Sequence, residues 1–305
     1  MKIFVAGATG ALGLPLVRVL CALGHDVTGM TRDGPGVHRL RELGAAVSLA
    51  DAFDALAVRD AIEAASPDAI IDQLTWLPAD PADLIRSMPN DTRLQREGRA
   101  HLLAAARAAG VRRYVMQSRG FYLEAPQRRL ADENAGLRHD APGVVGESAR
   151  AIGEYEQHVL QAPSIDGVIL RYGFFHGPGT WYAPDGAIAA QVRDGLAGII
   201  GEGDAVWSFV HIDDAVAATV ASLTAEPGVY NVVDDHPLPV AQWLPAFARW
   251  IDAPPPPRIG VEEALRSAGE EAVYYHTQLT GASNRRARDK LGFSPRPQPW
   301  IAVER

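Results

Sequence analysis

Residues 7–13 read Gly-Ala-Thr-Gly-Ala-Leu-Gly, directly after a short apolar run and before an amphipathic stretch from Leu14 to Leu23. This order predicts a strand, a tight turn and a helix. In such a turn Gly7 allows the sharp reversal, Gly10 lets the backbone approach a diphosphate, and Gly13 lets the helix pack on the strand. The amides at the helix start then face the phosphates. The stretch predicts a dinucleotide-binding turn; the alternative is a turn with a structural role alone.

Short apolar segments alternate with helical segments through the first half of the chain. The predicted strands are Ile3–Ala6, Asp26–Thr31, Ala46–Leu49, Ala69–Leu74, Arg113–Gln117 and Gly167–Tyr172, with helices such as Leu56–Ala65 and Arg93–Ala109 between them. This alternation indicates a parallel sheet covered by helices on both faces, joined by right-handed crossovers. We therefore expect a doubly wound α/β fold of the Rossmann type.

The second half of the chain is less regular. Residues 173–204 are rich in glycine, proline and aromatic side chains, and residues 253–257 read Ala-Pro-Pro-Pro-Pro. A strand is predicted over Val229–Val233. We expect a dinucleotide-binding domain formed by residues 1–170 and about 205–235. Residues 171–204 and 236–305 are expected to form a smaller, discontinuous lobe that binds substrate over the carboxyl ends of the strands.

Composition narrows the classes of partner. The formal net charge is −8, which argues against nucleic acid as the main partner. No apolar run is long enough to span a bilayer, and no leader segment is recognised. The lone Cys21 excludes internal disulfides. We therefore expect a cytoplasmic location. No HExxH or CxxC pattern occurs, and no metal is predicted. Only two of the 29 basic residues are lysines, Lys2 and Lys290.

Five further segments occur in order along the chain: Asp51-Ala52-Phe53-Asp54, Leu170-Arg171-Tyr172 with Gly177-Pro178, Phe209 to Asp214, Tyr230 to Val233, and Asn284 to Gly292. Together with the glycine-rich turn, they resemble the extended short-chain dehydrogenase/reductase family, which includes the NAD-dependent epimerases and dehydratases. The resemblance covers nearly the whole chain. It implies a nicotinamide dinucleotide cofactor and a small-molecule substrate, with a homodimer as a possible assembly.

The chain differs from this family in the residues expected to carry out catalysis. Relatives carry a tyrosine and, four residues later, a lysine on the helix after strand five, and a serine at the end of that strand. Ser118 matches the serine. The pair should fall near Val145–Arg150, but that segment contains neither residue. An arginine would not replace the lysine, because its guanidinium does not titrate usefully.

The expected cofactor contacts come from the turn and from the ends of several strands. They are Gly7, Thr9, Gly10, Ala11, Leu12, Gly13, Arg32, Asp51, Ala52, Leu74, Thr75, Tyr172 and Phe174. Arg32 is the first charge after strand two, where a guanidinium can clamp a 2′-phosphate, and Thr31 can donate a hydroxyl to the same group. Asp33 is expected to point to solvent. This pattern favours NADP over NAD; the alternative is that Arg32 is an ordinary surface residue.

Three residues are candidates for the chemistry. Ser118 could polarise a substrate oxygen. Tyr122 could lie beside the substrate, with packing as the alternative. His176 could donate a proton because a histidine pKa is ordinarily near neutral, again with packing as the alternative.

The prediction that follows is an NADP-preferring oxidoreductase that acts on a small carbonyl, alcohol or sugar-like substrate with a non-standard proton donor. Two alternatives remain open at this stage. One is a sensor or regulator that binds NADP without hydride transfer. The other is a non-redox enzyme on the same fold.

Overall fold

The computed structural model describes residues 1–32, 34–126 and 129–301. The strands of this part of the chain are β1 Lys2–Ala6, β2 Asp26–Thr31, β3 Ala46–Leu49, β4 Ala69–Asp72, β5 Arg113–Arg119, β6 Asp166–Tyr172, β7 Phe174–His176, β8 Ile199–Ile200, β9 Val206–Trp207, β10 Phe209–His211, β11 Gly228–Val232, β12 Leu238–Pro239 and β13 Arg258–Ile259. Seven of them form one parallel sheet in the order β11-β6-β5-β4-β1-β2-β3. Since β1 lies between β2 and β4, the strand order reverses there. A crevice is expected at the carboxyl ends of these strands.

The helices are α1 Gly13–Ala22, α2 Gly34–Glu42, α3 Ala55–Ala65, α4 Leu84–Arg93, α5 Arg99–Ala108, α6 Gly143–Leu160, α7 Ala187–Arg193, α8 Ile212–Ser222, α9 Val240–Trp250, α10 Val261–Ser267, α11 Gly269–Thr277 and α12 Arg285–Leu291. Two separate apolar cores show that helices cover both faces of the sheet. One core takes Ile62 of α3, Leu102 of α5 and Ile152 of α6. The other takes Leu16 of α1 and Val216 of α8. The doubly wound α/β fold is confirmed.

Three boundaries differ from the sequence prediction by two residues or more. The helix predicted over Arg93–Ala109 begins earlier, as α4 at Leu84, and reaches α5 through a π-helical turn, Leu94–Gly98. Pro89 and the polar residues beside it hid this helix, because they interrupt the apolar periodicity. Strand β4 ends at Asp72, two residues earlier than predicted.

Strand β5 extends to Arg119, two residues beyond the predicted end at Gln117. Successive side chains of a strand point to opposite faces. Alternation alone would place Ser118 and Arg119 on opposite faces of the sheet. Both side chains nevertheless bond to residues of α6: Ser118 bonds to Glu156, and Arg119 bonds to Ser148, which lies in the segment of the missing tyrosine–lysine pair.

Short strand pairs lie outside the large sheet. Strand β7 pairs with β10, β9 with β12, and β8 with β13. Aromatic side chains from these strands and from α9 pack around Trp207 and Phe209, in tilted and edge-to-face arrangements. None of the helices in the described ranges combines the length and apolar character needed to cross a membrane.

Candidate active site

The glycine-rich turn has the geometry of an anion cradle. Gly7 has a φ of 76°, and a Cβ there would lie 2.5 Å from the Gln73 carbonyl oxygen. A Cβ on Gly13 would lie 2.1 Å from the Gly7 carbonyl oxygen, so both positions require glycine for the turn itself. A Cβ on Gly10 would meet no protein atom closer than 3.4 Å. The protein therefore leaves open the space above Gly10, which a diphosphate would need.

The surroundings of this space are also suited to an anion. Gly10 and Ala11 are exposed, Thr9 is half-buried and Leu12 is buried. The start of α1 carries no side-chain cap. The Leu14 amide already donates to the Gly10 carbonyl and Pro15 has no amide hydrogen, so the amides of Ala11, Leu12 and Gly13 are those expected to face phosphate oxygens at the positive end of the helix dipole.

Arg32 directly follows β2 and is exposed, with its guanidinium carbon 4.6 Å from the centre of the Trp76 ring. The Trp76 ring lies 6.1 Å from the Phe53 ring, and the Arg93 guanidinium lies 4.2 Å from the centre of Phe53. Two guanidinium groups and two aromatic rings thus line this edge of the crevice. Asp33, which was expected to face solvent, lies outside the described residues.

The other predicted cofactor positions on this side lie around the same edge. The Asp51 carboxylate accepts a hydrogen bond from the Phe53 amide at 2.9 Å, and Ala52 is buried with its carbonyl 2.9 Å from the His101 ring. Leu74 is buried, and its carbonyl accepts a hydrogen bond from Arg99. Thr75 is half-buried.

The Ser118 side chain is hydrogen-bonded to a buried ion pair, Glu156–Arg171. Its hydroxyl donates to Glu156 Oε1 at 2.5 Å, and Glu156 is held by Arg171 through bonds of 2.9 Å and 2.6 Å. All three residues are less than a tenth exposed. In this arrangement the serine hydroxyl bridges β5 to α6 and has no donor left for a substrate oxygen.

Arg119 reaches the place where the resemblance expects the tyrosine–lysine pair. One of its nitrogens donates to the Ser148 hydroxyl of α6 at 2.5 Å, and another pairs with the Asp91 carboxylate of α4. Burial lowers the pKa of Arg119, but Asp91 and the nearby Tyr122 outweigh burial and raise it above its ordinary value. Burial also raises the pKa of Asp91, but Arg119 and the Trp76 amide outweigh burial and lower it below its ordinary value. The site therefore holds a permanently charged cation and its counterion.

Two tyrosines complete this cluster. The Tyr122 hydroxyl lies 3.4 Å from the Ser148 hydroxyl and 3.4 Å from the hydroxyl of Tyr275, which comes from α11. Burial and the neighbouring Tyr122 raise the pKa of Tyr275 well above its ordinary value. Hence the Tyr275 hydroxyl keeps its proton at neutral pH and can act as a hydrogen-bond donor.

Beside the tyrosines, three aromatic rings form a stack. Phe174 lies between Phe121, at 4.6 Å, and Trp207, at 4.1 Å, with interplanar angles of 15° and 19°. Phe121 and Phe174 are half-buried. Tyr275 packs edge-on against this stack. The stacked rings form a flat, apolar wall, which suits a planar ligand.

Two other predicted residues contact different parts of the molecule. His176 packs against the rings of Phe209, His211 and Trp300, and burial together with His211 lowers its pKa to about 3. Its imidazole is therefore neutral near pH 7. The Tyr172 hydroxyl lies 2.6 Å from the Thr219 hydroxyl of α8, within the core on the α1 side of the sheet.

Sequence reasoning missed Arg119, Asp91 and Tyr275. Alternation along β5 would not have indicated Arg119, because it groups this residue with Val115, on the face away from α6. The guanidinium reaches α6 and α4 only because Arg119 is the last residue of the strand. No local pattern marks Tyr275, because 153 positions separate it from Tyr122. Neither lysine replaces the missing one. Lys2 lies at the amino end of β1, and Lys290 pairs with Glu226 at 3.3 Å.

Comparisons with known proteins agree with this architecture. A family model described as "NAD dependent epimerase/dehydratase family" matches residues 3–232. A 3-diazoavenalumate denitrifying reductase from a Streptomyces species is 42% identical over 302 residues, which cover 98% of each protein.

Solved structures share the fold at low sequence identity. The UDP-glucose 4-epimerase of Thermotoga maritima, solved with UDP-glucose, has a TM-score of 0.77 at 19% identity, covering 98% of this chain and 95% of its own. The UDP-glucose 4-epimerase of Thermus thermophilus, solved in complex with NAD, has a TM-score of 0.75 at 23% identity, with the same coverage. The match to the family model and the similarity to the reductase together show that this chain belongs to the NAD-dependent epimerase/dehydratase family of enzymes.

Proposed function

We propose that this protein is an NADPH-dependent reductase that replaces the N₂ of an aromatic diazonium carboxylate with hydrogen. The observation that carries the proposal is the buried Asp91–Arg119–Ser148 cluster in the place of the tyrosine–lysine pair. A carbonyl reductase needs a proton donor at this place, whereas a denitrifying reductase does not. The 42% identity to a 3-diazoavenalumate denitrifying reductase supports this choice of substrate class.

For the cofactor, we propose the cradle of Gly7, Thr9, Gly10, Ala11, Leu12 and Gly13 as the diphosphate site. Asp51, Ala52, Leu74 and Thr75 would line the adenosine half, and Phe174 the nicotinamide half. When bound, the reduced nicotinamide supplies a hydride. We also propose the two-lobe division at residues 1–170 with about 205–235, and 171–204 with 236–305. Tyr275 would then come from the lobe that binds substrate.

The reaction balances without a proton from the protein. An aryl diazonium ion accepts a hydride, the carbon–nitrogen bond breaks, and N₂ leaves: ArN₂⁺ + H⁻ gives ArH + N₂. A ketone, in contrast, becomes an alkoxide on hydride transfer and must gain a proton. The protein is then required to orient a flat substrate and to hold it in a dry site. The stack of Phe121, Phe174 and Trp207 provides such a wall.

Charge in the site fits a cationic electrophile. Arg119 is neutralised by Asp91, and Arg171 is neutralised by Glu156. A diazonium ion therefore meets no unpaired cation from these groups, while the rings of the stack offer their negative faces to it. These contacts favour the diazonium class over nucleotide sugars, whose epimerisation begins with a tyrosine-assisted oxidation.

We expect the rate of 3-diazoavenalumate reduction to vary little between about pH 6 and pH 8, because no proton donor of the protein takes part. The pKa of His176 is lowered to about 3, and that of Tyr275 is raised well above its ordinary value, so neither group titrates between pH 6 and pH 8. The measurement is the loss of reduced-nicotinamide absorbance at saturating substrate across this range. A bell-shaped profile, or faster oxidation of NADPH by simple ketones than by the diazo compound, would contradict the proposal.

We propose that Arg32, placed over Trp76, clamps the 2′-phosphate of NADP. The Arg32→Asp variant should bind NADPH at least about tenfold more weakly and NADH no more weakly than the wild type, because a charge-assisted bond contributes about 1.5–3 kcal/mol. Dissociation constants from fluorescence titration test this, with the exposed Arg39→Asp on α2 as the matched control. An unchanged ratio of the two constants would reject the clamp.

A further inference from the structure

A cavity of about 420 Å³ lies between the α10–α11 pair and the segment that leads into α6. Arg138, Tyr274 and Thr277 are among its lining residues, as are Asp140 and Glu270. Tyr274 is 3% exposed and Arg138 is half-buried, whereas Asp140 is exposed, as is Glu270. The donors thus lie deeper in the cavity than the two carboxylates.

Two polar atoms of this cavity are buried without a partner. Neither the Tyr274 hydroxyl nor the Arg138 Nε has a hydrogen-bond partner within the described ranges. The Arg138 guanidinium carbon lies 6.0 Å from the centre of the Tyr274 ring, so the two groups face the same space. Arg138 also forms no ion pair with the carboxylates of the described residues. Leaving a buried donor unpaired costs about 1–3 kcal/mol, and an acceptor bound there would remove this cost.

The cavity adjoins the proposed site of hydride transfer. The Arg138 amide donates to the Tyr122 carbonyl at 2.8 Å. Tyr274 precedes Tyr275 on α11, and their rings pack edge to face at 5.7 Å. The hydroxyls of Tyr122 and Tyr275 lie 3.4 Å apart. A ligand whose reactive end lies at these two hydroxyls could therefore extend an anionic end toward Arg138.

We propose that Arg138 and Tyr274 form the subsite for the substrate's carboxylate. This inference rests on the proposed function, because the subsite would select the substrate of the proposed reductase. Arg138 supplies a planar cation that matches a carboxylate, and Tyr274 supplies a second donor. Burial raises the pKa of the Tyr274 hydroxyl, so it keeps its proton at neutral pH. The subsite thus recognises the substrate's carboxylate by its charge, independently of the diazo group.

The test separates binding from turnover. The probe is avenalumate, the compound left when hydrogen replaces the diazo group of 3-diazoavenalumate. Calorimetric titration would compare avenalumate and its methyl ester against the wild type, Arg138→Gln, Tyr274→Phe and the control Arg266→Gln. Arg266 is an exposed arginine of α10. The dissociation constant of NADPH, measured for each variant, reports whether the proposed cofactor site is intact.

We expect Arg138→Gln to weaken avenalumate binding by at least about tenfold, with a smaller loss for Tyr274→Phe and none for Arg266→Gln. Methyl ester and NADPH should bind equally to all four proteins. If Arg138→Gln binds avenalumate as tightly as the wild type, the proposed subsite is wrong. It is also wrong if this variant loses affinity for the methyl ester as strongly as it loses affinity for avenalumate. In that case reduction of 3-diazoavenalumate by the wild type would leave the proposed function standing. A wild type that neither binds avenalumate nor reduces the diazo compound overturns both.

Discussion

The Gly10→Val variant should bind NADPH about a hundredfold or more weakly than the wild type, and it should unfold at the same temperature. A Cβ at Gly10 would meet no protein atom closer than 3.4 Å, and Gly10 is exposed, so we expect the fold to tolerate the substitution. The same side chain fills the space proposed for the diphosphate and displaces oxygens from the backbone amides. Two such charge-assisted bonds, at about 1.5–3 kcal/mol each, account for this loss of affinity. Fluorescence titration and thermal unfolding measure the two effects separately.

Gly13→Ala is the matched contrast within the same turn. Its Cβ would lie 2.1 Å from the Gly7 carbonyl oxygen, so the turn must distort and the unfolding temperature should fall. Equal NADPH affinity in Gly10→Val and the wild type would show that no diphosphate lies above Gly10. The cradle interpretation would then be wrong.

The second large effect concerns the buried pair Arg99–Asp72, beneath the crevice. Arg99 is 1% exposed and donates to the carbonyls of Gln117, at 3.0 Å, and Leu74, at 2.7 Å. Its Nε lies 3.4 Å from the fully buried Asp72 carboxylate. The Arg99→Met variant leaves that charge without its partner and should lower the free energy of unfolding by about 3–5 kcal/mol at neutral pH. Urea denaturation measures the change.

This loss should depend on pH in a defined direction. Burial raises the pKa of Asp72, and Arg99 opposes that shift, so removing Arg99 raises it further. A carboxyl with a raised pKa in the folded state stabilises the fold at low pH, and this contribution is lost as the pH rises through the folded pKa. The destabilisation of Arg99→Met should therefore be largest at neutral pH and shrink on acidification. The control is Arg107→Met, an exposed position on α5. A loss below about 1 kcal/mol would show that the pair stabilises little.

Local patterns predicted the fold and the glycine-rich turn from the sequence. The seven strands of the large sheet are short apolar runs that alternate with helices, and Gly7 and Gly13 stand where only glycine fits. The helix α4 escaped prediction because Pro89 interrupts its apolar pattern, although it carries Asp91 into the site.

The chemical centre depends on contacts between distant segments. Arg119 and Asp91 are 28 positions apart, and Tyr275 reaches the site from α11. Ser118 bonds to Glu156, which lies 38 positions away on α6, so its partner could not be read from the pattern of β5. The absence of the tyrosine–lysine pair was evident from the sequence, but the arginine cluster that occupies its place was not.

The most direct test of the central claim is the stoichiometry of a reaction between 3-diazoavenalumate and NADPH, catalysed by the purified protein under anaerobic conditions. We predict one N₂ released for each NADPH oxidised, and a slower reaction when the transferable C4 hydrogen of NADPH is deuterium. Release of N₂ without oxidation of NADPH, or tight NADPH binding with no consumption of the diazo compound, would contradict the claim that this protein transfers a hydride.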